Sequence, residues 1–323
     1  MKKTTNAPVQ YFVGIDGGGS HTRIRIVTAV RETRTIIAER TVGYTAKFFV
    51  LGFTEATKRI TELIATTAKK KNVPFESITG ISIGLAGNGR QRDQNTFRTY
   101  IKKSLHTIAI IPRQLRLESD AVIALEGLLE DRAGVVLICG TGAIAIGRTQ
   151  TGDIVRTGGW GRIIGDEGSG YWIGIQALNA VARALDGRMQ NTMLTDAVFE
   201  GFPFMKTREP RELRSAIYLG KLHVERAAPL VTQCAARGDI VAKKILTTAA
   251  EELYSQLKAM HELHFRGETN VRLAFHGSIL SHSPVGNMLR IRLAKRMKGK
   301  YVIQNTPASP LDGAIRLLDY HKK

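Results

Sequence analysis

Asp16 ends a short apolar run, Tyr11 to Ile15, and is followed at once by Gly17, Gly18, Gly19 and Ser20, with Thr22 two residues further on. Consecutive glycines present bare backbone amides that can approach a phosphate closely, because no Cβ intervenes, and the Ser20 and Thr22 hydroxyls stand beside them. A carboxylate next to a phosphate cradle repels its ligand unless a cation lies between them, so Asp16 suits a direct or water-mediated holder of Mg²⁺. The same residues suit a tight hairpin whose aspartate caps its own turn, and this stretch alone leaves both readings open. Arg23, Ile24, Arg25 and Ile26 alternate with the period of a half-buried strand, so the glycines join strand to strand. A dinucleotide fingerprint or a Walker loop leads from a strand into a helix, and neither is present.

A second carboxylate, Asp120, lies where the strand Leu115 to Glu118 gives way through Ser119 to a helix over Ala121 to Leu129. It serves either as a cap for that helix or as a general base that takes a proton from a hydroxyl attacking phosphorus. The opening pattern then returns: Gly134 to Gly147 reads as strand, Gly140-Thr141-Gly142 turn, strand. Recurrence favours a second phosphate loop over a mere tight turn. Downstream, the glycine-rich stretch from Gly158 to Gly168 holds Gly159, Trp160, Asp166 and Glu167 before a helix that begins near Ser169. Such a composition suits backbone contacts to a polar ligand, with Trp160 stacking on a sugar ring or simply packing. Acids ahead of a helix also satisfy its dipole without any functional role.

The elements that would position these groups are α/β in character. A loop at Val42 to Phe53 precedes a helix over Thr54 to Lys71; a strand at Ile78 to Ala86 ends in Gly87-Asn88-Gly89; a helix covers Asn95 to Ser104. Leu213 to Phe265 reads as helical, with Gly238-Asp239 as a helix end and a new N-cap, and Val271 to Phe275 as a last strand before His276-Gly277-Ser278. A basic polar stretch and a helix over Ala308 to Leu318 close the chain. Two strand-glycine-strand units half a chain apart suggest an internal duplication, with two like domains facing one another across a cleft.

The 323 residues suffice for two such domains, and 43% hydrophobic with 23% charged residues is ordinary globular usage. No apolar run approaches the roughly 20 residues of a membrane span, and the lysines of the polar N-terminal arm are followed by no signal-peptide core. Cys139 and Cys234 are far apart and read as small buried residues, which fits a reducing cytoplasm. The net charge of +19 favours anionic partners such as nucleotides and acidic metabolites. Its basic residues, as at Lys69 to Lys71, Arg208 to Arg214 and Arg290 to Lys300, lack interleaved aromatics, so they read as solvated faces and no specific nucleic-acid partner is expected.

Taken together, Asp16 to Ser20, the Ser119-Asp120 junction, Cys139 to Gly142, the segment GGWGRIIGDEGSGYWIG from Gly158, the stretch APLVTQCAARGD, and Pro310 with Gly313-Ala314 resemble the BadF/BadG/BcrA/BcrD ATPase family, and within it the N-acetylglucosamine kinases. The resemblance spans about Tyr11 to Leu318. It implies the actin, hexokinase and Hsp70 ATPase fold, with two ribonuclease-H-like domains: an N-terminal one over 1–118, onto which a last helix at 311–323 would return, and a C-terminal one over 119–310 with a helical insertion. It also implies ATP and Mg²⁺ as cofactors, a small sugar substrate and room for a homodimer. By the same resemblance Asp16 serves the metal; Gly17 to Gly19, with Ser20 and Thr22, serve phosphate; Gly140, Thr141 and Gly142 form the second phosphate loop; Gly277 lies near adenosine. Asp120 would be the base, and Asp166 would bind sugar hydroxyls; Gly159, Trp160 and Lys47 are candidate substrate contacts read from this sequence itself and not from the resemblance. The family's amino-sugar kinases often carry an asparagine where this chain has Thr45, Ala46 and Lys47, and a serine at Ala143. Lys47 and the basic charge point to an acidic amino sugar such as N-acetylmuramic acid as an accepted substrate. Two alternatives are an ATP-driven activator of a 2-hydroxyacyl-CoA dehydratase or benzoyl-CoA reductase, which needs cysteines for an iron-sulfur cluster, and a non-catalytic sensor on the same fold.

Overall fold

The computed structural model describes residues 9–30, 33–202, 207 and 209–318. The first eight residues of the N-terminal arm, Arg208 and residues 319–323 of the expected last helix lie outside them. The chain divides into two compact units, one built from Met1–Arg132 with Thr306–Lys323, the other from Ala133–Asn305.

The first unit is built on a five-stranded sheet in the order β3-β2-β1-β4-β5. Its strands are β1 (Gln10–Gly17), β2 (Thr22–Val30), β3 (Thr33–Val42), β4 (Ile78–Leu85) and β5 (Gln114–Ser119). β1 pairs antiparallel with β2 and parallel with β4, which places the C-terminal ends of β1, β4 and β5 along one edge. The helices are α1 (Phe48–Lys70), α2 (Gln91–His106) and α3 (Asp120–Leu129), and α11 (Pro310–Arg316) joins them from the far end of the chain. Val13, Ile15, Ile24, Ile26, Ile60, Leu63, Ile64, Ile81 and Ile83 fill the core between the sheet and α1 and α2.

The second unit repeats this plan. Strands β6 (Gly134–Cys139), β7 (Ala143–Arg148), β8 (Ile154–Gly158), β9 (Val271–His276) and β10 (Tyr301–Gln304) form a sheet in the order β8-β7-β6-β9-β10, again with three antiparallel strands followed by two parallel ones. Between β8 and β9 run α4 (Gly170–Leu185), α5 (Leu194–Gly201), α6 (Pro210–Tyr218), α7 (Ala228–Ala236) and α8 (Ile240–His264); α9 (Ser278–His282) and α10 (Pro284–Arg296) precede β10. The identical strand order is the physical form of the duplication that the recurrent strand-glycine-strand motif suggested.

Several elements differ from the sequence reading. Helix α1 begins at Phe48, six residues before the expected start, because Gly52 adopts φ +76° and links a short apolar turn to the main helix. That turn anchors itself through Phe48, which is buried and stacks on Phe53 with ring centroids 4.7 Å apart. The helix α10 and the edge strand β10 fall in the stretch read as polar and basic, and the edge strand β8 falls almost wholly in a stretch to which the sequence reading gave no element. The sequence placed a boundary between residues 118 and 119, whereas α3 lies wholly within the first unit, where it packs against α11. Both crossing points are glycines: a Cβ at Gly313 would lie 1.9 Å from the Ile123 carbonyl oxygen, and one at Gly127 would lie 2.2 Å from that of Ser309. Arg25, largely buried on β2, ties the same region together by donating to Glu39 at 2.8 Å and to Asp312 at 2.6 Å.

Candidate active site

In the first unit, the turn after β1 closes with the Gly18 amide donating to the His21 carbonyl at 3.0 Å. Gly17 is closely packed, since a Cβ there would sit 2.3 Å from the Leu85 side chain, which would have to shift. Gly18, Gly19 and Ser20 are partly exposed in this turn. Thr22 is placed differently: its side chain is fully buried, and its hydroxyl donates to the Tyr44 carbonyl at 2.9 Å, so it fastens the 43–47 loop to β2. Thr45 in that loop donates to the Gly18 carbonyl at 3.1 Å, which binds the loop carrying Lys47 directly to the glycine turn. Lys47 itself is the residue preceding α1 and is partly exposed.

Asp16 and Asp120 converge at the C-terminal edge of this sheet. Ser119 caps α3 by accepting from the Val122 amide at 3.2 Å, so the capping role falls to the serine and leaves the aspartate as the first helical residue. The Asp120 carboxylate accepts from the Ala121 amide at 2.9 Å, an arrangement in which the positive end of the helix faces a negative group. Asp16 has its pKa raised to about 7, first by burial and then by the nearby negative charge of Asp120, with Arg23 opposing both. Two acids that penalise each other's charge are a place where a cation is welcome. Among the described residues no group of three or more His, Cys, Asp or Glu forms a metal cage. Mg²⁺ bound through one carboxylate and substrate phosphates needs none, and Asp16, with the negative charge of Asp120 nearby, fits that mode.

One residue of this edge escaped the sequence reading. Asn88, in the turn after β4, is completely buried; its amide NH₂ donates to the Glu118 carbonyl at 3.1 Å, and its own carbonyl accepts from Gln94 at 2.9 Å. With the Ala86 amide donating to the Gly17 carbonyl at 2.9 Å, this turn stitches the ends of β1, β4 and β5 together two residues before Asp120. A buried asparagine between two glycines was the available signal.

In the second unit, the Gly140-Thr141-Gly142 turn is tied to the start of α4: the Gly170 and Tyr171 amides donate to the Gly140 and Thr141 carbonyls at 2.8 and 3.1 Å. Asp166, in a left-handed conformation at φ +57°, accepts from the Gly161 amide at 3.3 Å. Its carboxylate lies so near Gly142 that a Cβ there would stand 2.7 Å from an Asp166 oxygen. Gly277, at φ +108°, abuts the Cys139 backbone, where a Cβ would fall 2.3 Å from the carbonyl oxygen. Loop two, Asp166 and Gly277 are thus brought together in one place. Gly159 is held by its amide donating to the Ala143 carbonyl at 3.0 Å, and Trp160 is 66% exposed with the Arg156 guanidinium 5.0 Å over its ring, so it does not serve the core. Cys139 and Cys234 are both buried free thiols, and burial raises the pKa of each.

A family match covers residues 13–315, which takes in both glycine loops, both sheets and α11. The chain belongs to the BadF/BadG/BcrA/BcrD ATPase family. Within reach of this family the chain is 33% identical over 280 residues to the N-acetylmuramic acid/N-acetylglucosamine kinase of Clostridium acetobutylicum, covering 85% of this chain and 87% of that one. It is 28% identical over 328 residues to the N-acetyl-D-glucosamine kinase of Dictyostelium discoideum, covering 97% and 99%. A crystal structure of a protein from Chromobacterium violaceum assigned as an N-acetylglucosamine kinase superposes with a TM-score of 0.76 at 25% identity, over 96% of this chain and 99% of that one. The two repeated sheets are those of the actin and hexokinase fold.

Proposed function

We propose that this BadF/BadG/BcrA/BcrD ATPase family member is an ATP-dependent amino-sugar kinase that transfers the γ-phosphoryl group to O6 of an N-acetylated amino sugar, with both N-acetylglucosamine and N-acetylmuramic acid as acceptors. The observation that carries the reading is the Asp16 and Asp120 pair beside the first glycine loop. Identity of 33% to a kinase named for both sugars supports the choice of acceptors. The ATPase-activator alternative needs cysteines able to hold a cluster, and burial of Cys139 and Cys234 argues against it.

In this mechanism Asp120 accepts the O6 proton as O6 attacks the γ-phosphorus. The new O6–P bond forms while the bond to the β,γ-bridging oxygen breaks, ADP leaves with the electron pair, and the proton passes from Asp120 to solvent. Mg²⁺, held by Asp16 and the phosphates, supplies charge neutralisation when bound. The amides of Gly18 and Gly19 orient phosphate oxygens, Ser20 adds a hydroxyl, and the Gly140 to Gly142 loop serves a second phosphate. Asp166 fixes sugar hydroxyls, Trp160 and Gly159 offer a ring face and a backbone contact, and Lys47 offers a cation to the lactyl carboxylate of N-acetylmuramic acid.

The test is ADP release over a panel of N-acetylglucosamine, N-acetylmuramic acid, glucosamine and glucose, with phosphorus NMR to place the new ester. Turnover of N-acetylated sugars with a 6-phosphate product is expected, and silence on all of them overturns the reading. Lys47→Ala is expected to lower turnover of the acidic sugar relative to the neutral one; an unchanged ratio removes Lys47 from the substrate contacts.

A further inference from the structure

We propose that the second unit carries an additional small-molecule site, a cavity between α4 and α8 that takes a phosphomonoester borne on a ring. The cavity has a volume of about 460 Å³, within the range usual for small-metabolite sites. None of the residues at the glycine loops lines it, so the inference stands apart from the proposed kinase reaction.

Its walls come from single helix faces. Trp172, Gln176, Asn179 and Arg183 follow one another at spacings of four, three and four along α4, and Lys244, Ile245 and Thr248 face them from the first turns of α8. The floor is apolar, with Ala180 and Ile245 buried, while the rim is basic. Two of the three cations in the lining have no acidic partner among the described residues. α4 contains no acidic residue, α8 has none before Glu251, and no acidic residue lines the cavity. Arg188 is held by Asp186 at 2.6 Å, but Arg183 and Lys244 make no ion pair among the described residues. The nearest capping acid, Asp239, is buried and turned inward, accepting from Thr192, the Met193 amide and the Ala242 amide at 2.9, 2.8 and 2.7 Å.

This combination selects its ligand. A neutral sugar would leave the two cations unanswered, and a bare inorganic anion would leave the Trp172 face and the apolar floor unused. A phosphorylated ring answers both, with the ring face on Trp172, the phosphate on Arg183 and Lys244, and ring substituents on Gln176, Asn179 and Thr248. Two sources share this chemistry, a hexosamine phosphate and a nucleoside monophosphate.

The chain holds two tryptophans, so Trp160→Phe leaves Trp172 as its one indole reporter. Trp172 fluorescence is titrated with glucosamine 6-phosphate, AMP, inorganic phosphate and N-acetylglucosamine. The proposal expects a saturable change with at least one of the two esters, at least tenfold weaker binding of the neutral sugar and of inorganic phosphate, and at least a tenfold loss of ester affinity in Arg183→Ala with Lys244→Ala at an unchanged unfolding temperature. Response to glucosamine 6-phosphate alone identifies a sugar phosphate as the ligand, and response to AMP alone a nucleotide. Absence of any saturable change, a change that survives the double substitution, or inorganic phosphate binding as tightly as the esters overturns it.

Discussion

Asp120, at the start of α3, places its negative charge close enough to Asp16, at the end of β1, to help burial lift the Asp16 carboxyl to about 7. In the metal-free protein this has a definite sign. A carboxyl whose folded pKa lies above its unfolded value binds more protons when folded between about 4 and 7, so its contribution favours folding in acid and is lost as pH rises through that window, by about 1.4 kcal/mol per pH unit at most. Asp16→Asn removes the titration. The stability of the native chain minus that of Asp16→Asn, from chemical denaturation in the absence of divalent ions, should therefore fall between pH 4 and pH 7. A flat difference would mean that Asp16 is not held protonated.

Asp120→Asn separates base from scaffold. The amide oxygen can still accept from the Ala121 amide, and Ser119 still caps α3, so the helix start persists. Loss of the proton acceptor should lower kcat by about 10²- to 10⁴-fold, typical of a general base, with KM for ATP within a few-fold. A kcat within tenfold of the native chain would assign proton removal to another group.

Asn88 tests whether the strand ends must be stitched for Asp120 to work. Asn88→Ala leaves the partly buried Glu118 carbonyl without this donor, at a cost of about 1–3 kcal/mol in stability. Freed of that tether, Asp120 should work about tenfold more slowly, with KM for ATP nearly unchanged. Asn88→Asp is close to isosteric but cannot donate, and should be no better than alanine. Full activity in the aspartate variant would show that shape alone matters at this position.

The parts of this architecture legible in the sequence are those with local signals. The Gly17 to Gly19 and Gly140 to Gly142 turns announce themselves by composition between period-2 strands, and their repetition anticipates two sheets of the same order. Gly238 and Asp239 mark a helix end and the next N-cap, and Asp239 indeed accepts from the Ala242 amide at 2.7 Å. What escaped depends on partners distant in the chain. β10 has only four residues and becomes a strand by pairing with β9. The bond from Thr45 to Gly18 and that from Asn88 to Glu118 exist because three strand ends meet at one edge. The assignment of α3 to the first unit rests on α11, some 190 residues away in the chain.

That pairing is itself open to test. At Gly313 a Cβ would lie 1.9 Å from the Ile123 carbonyl oxygen and 2.4 Å from the Gly127 nitrogen, both backbone atoms that cannot rotate away. Gly313→Ala must therefore push α11 off α3, also straining the bond from Arg25 to Asp312 that spans the same helix. Overpacking of this kind costs about 1–3 kcal/mol or more, which should appear as a lowered unfolding temperature of the first unit. Gly43→Ala is the control, since nothing lies within 4 Å of a Cβ there and its φ is not in the left-handed region. That substitution should leave stability unchanged or raise it slightly by restricting the unfolded chain. Equal effects from the two alanines would mean that α3 and α11 tolerate a wider spacing and that close backbone approach does not hold the chain's end in the first unit.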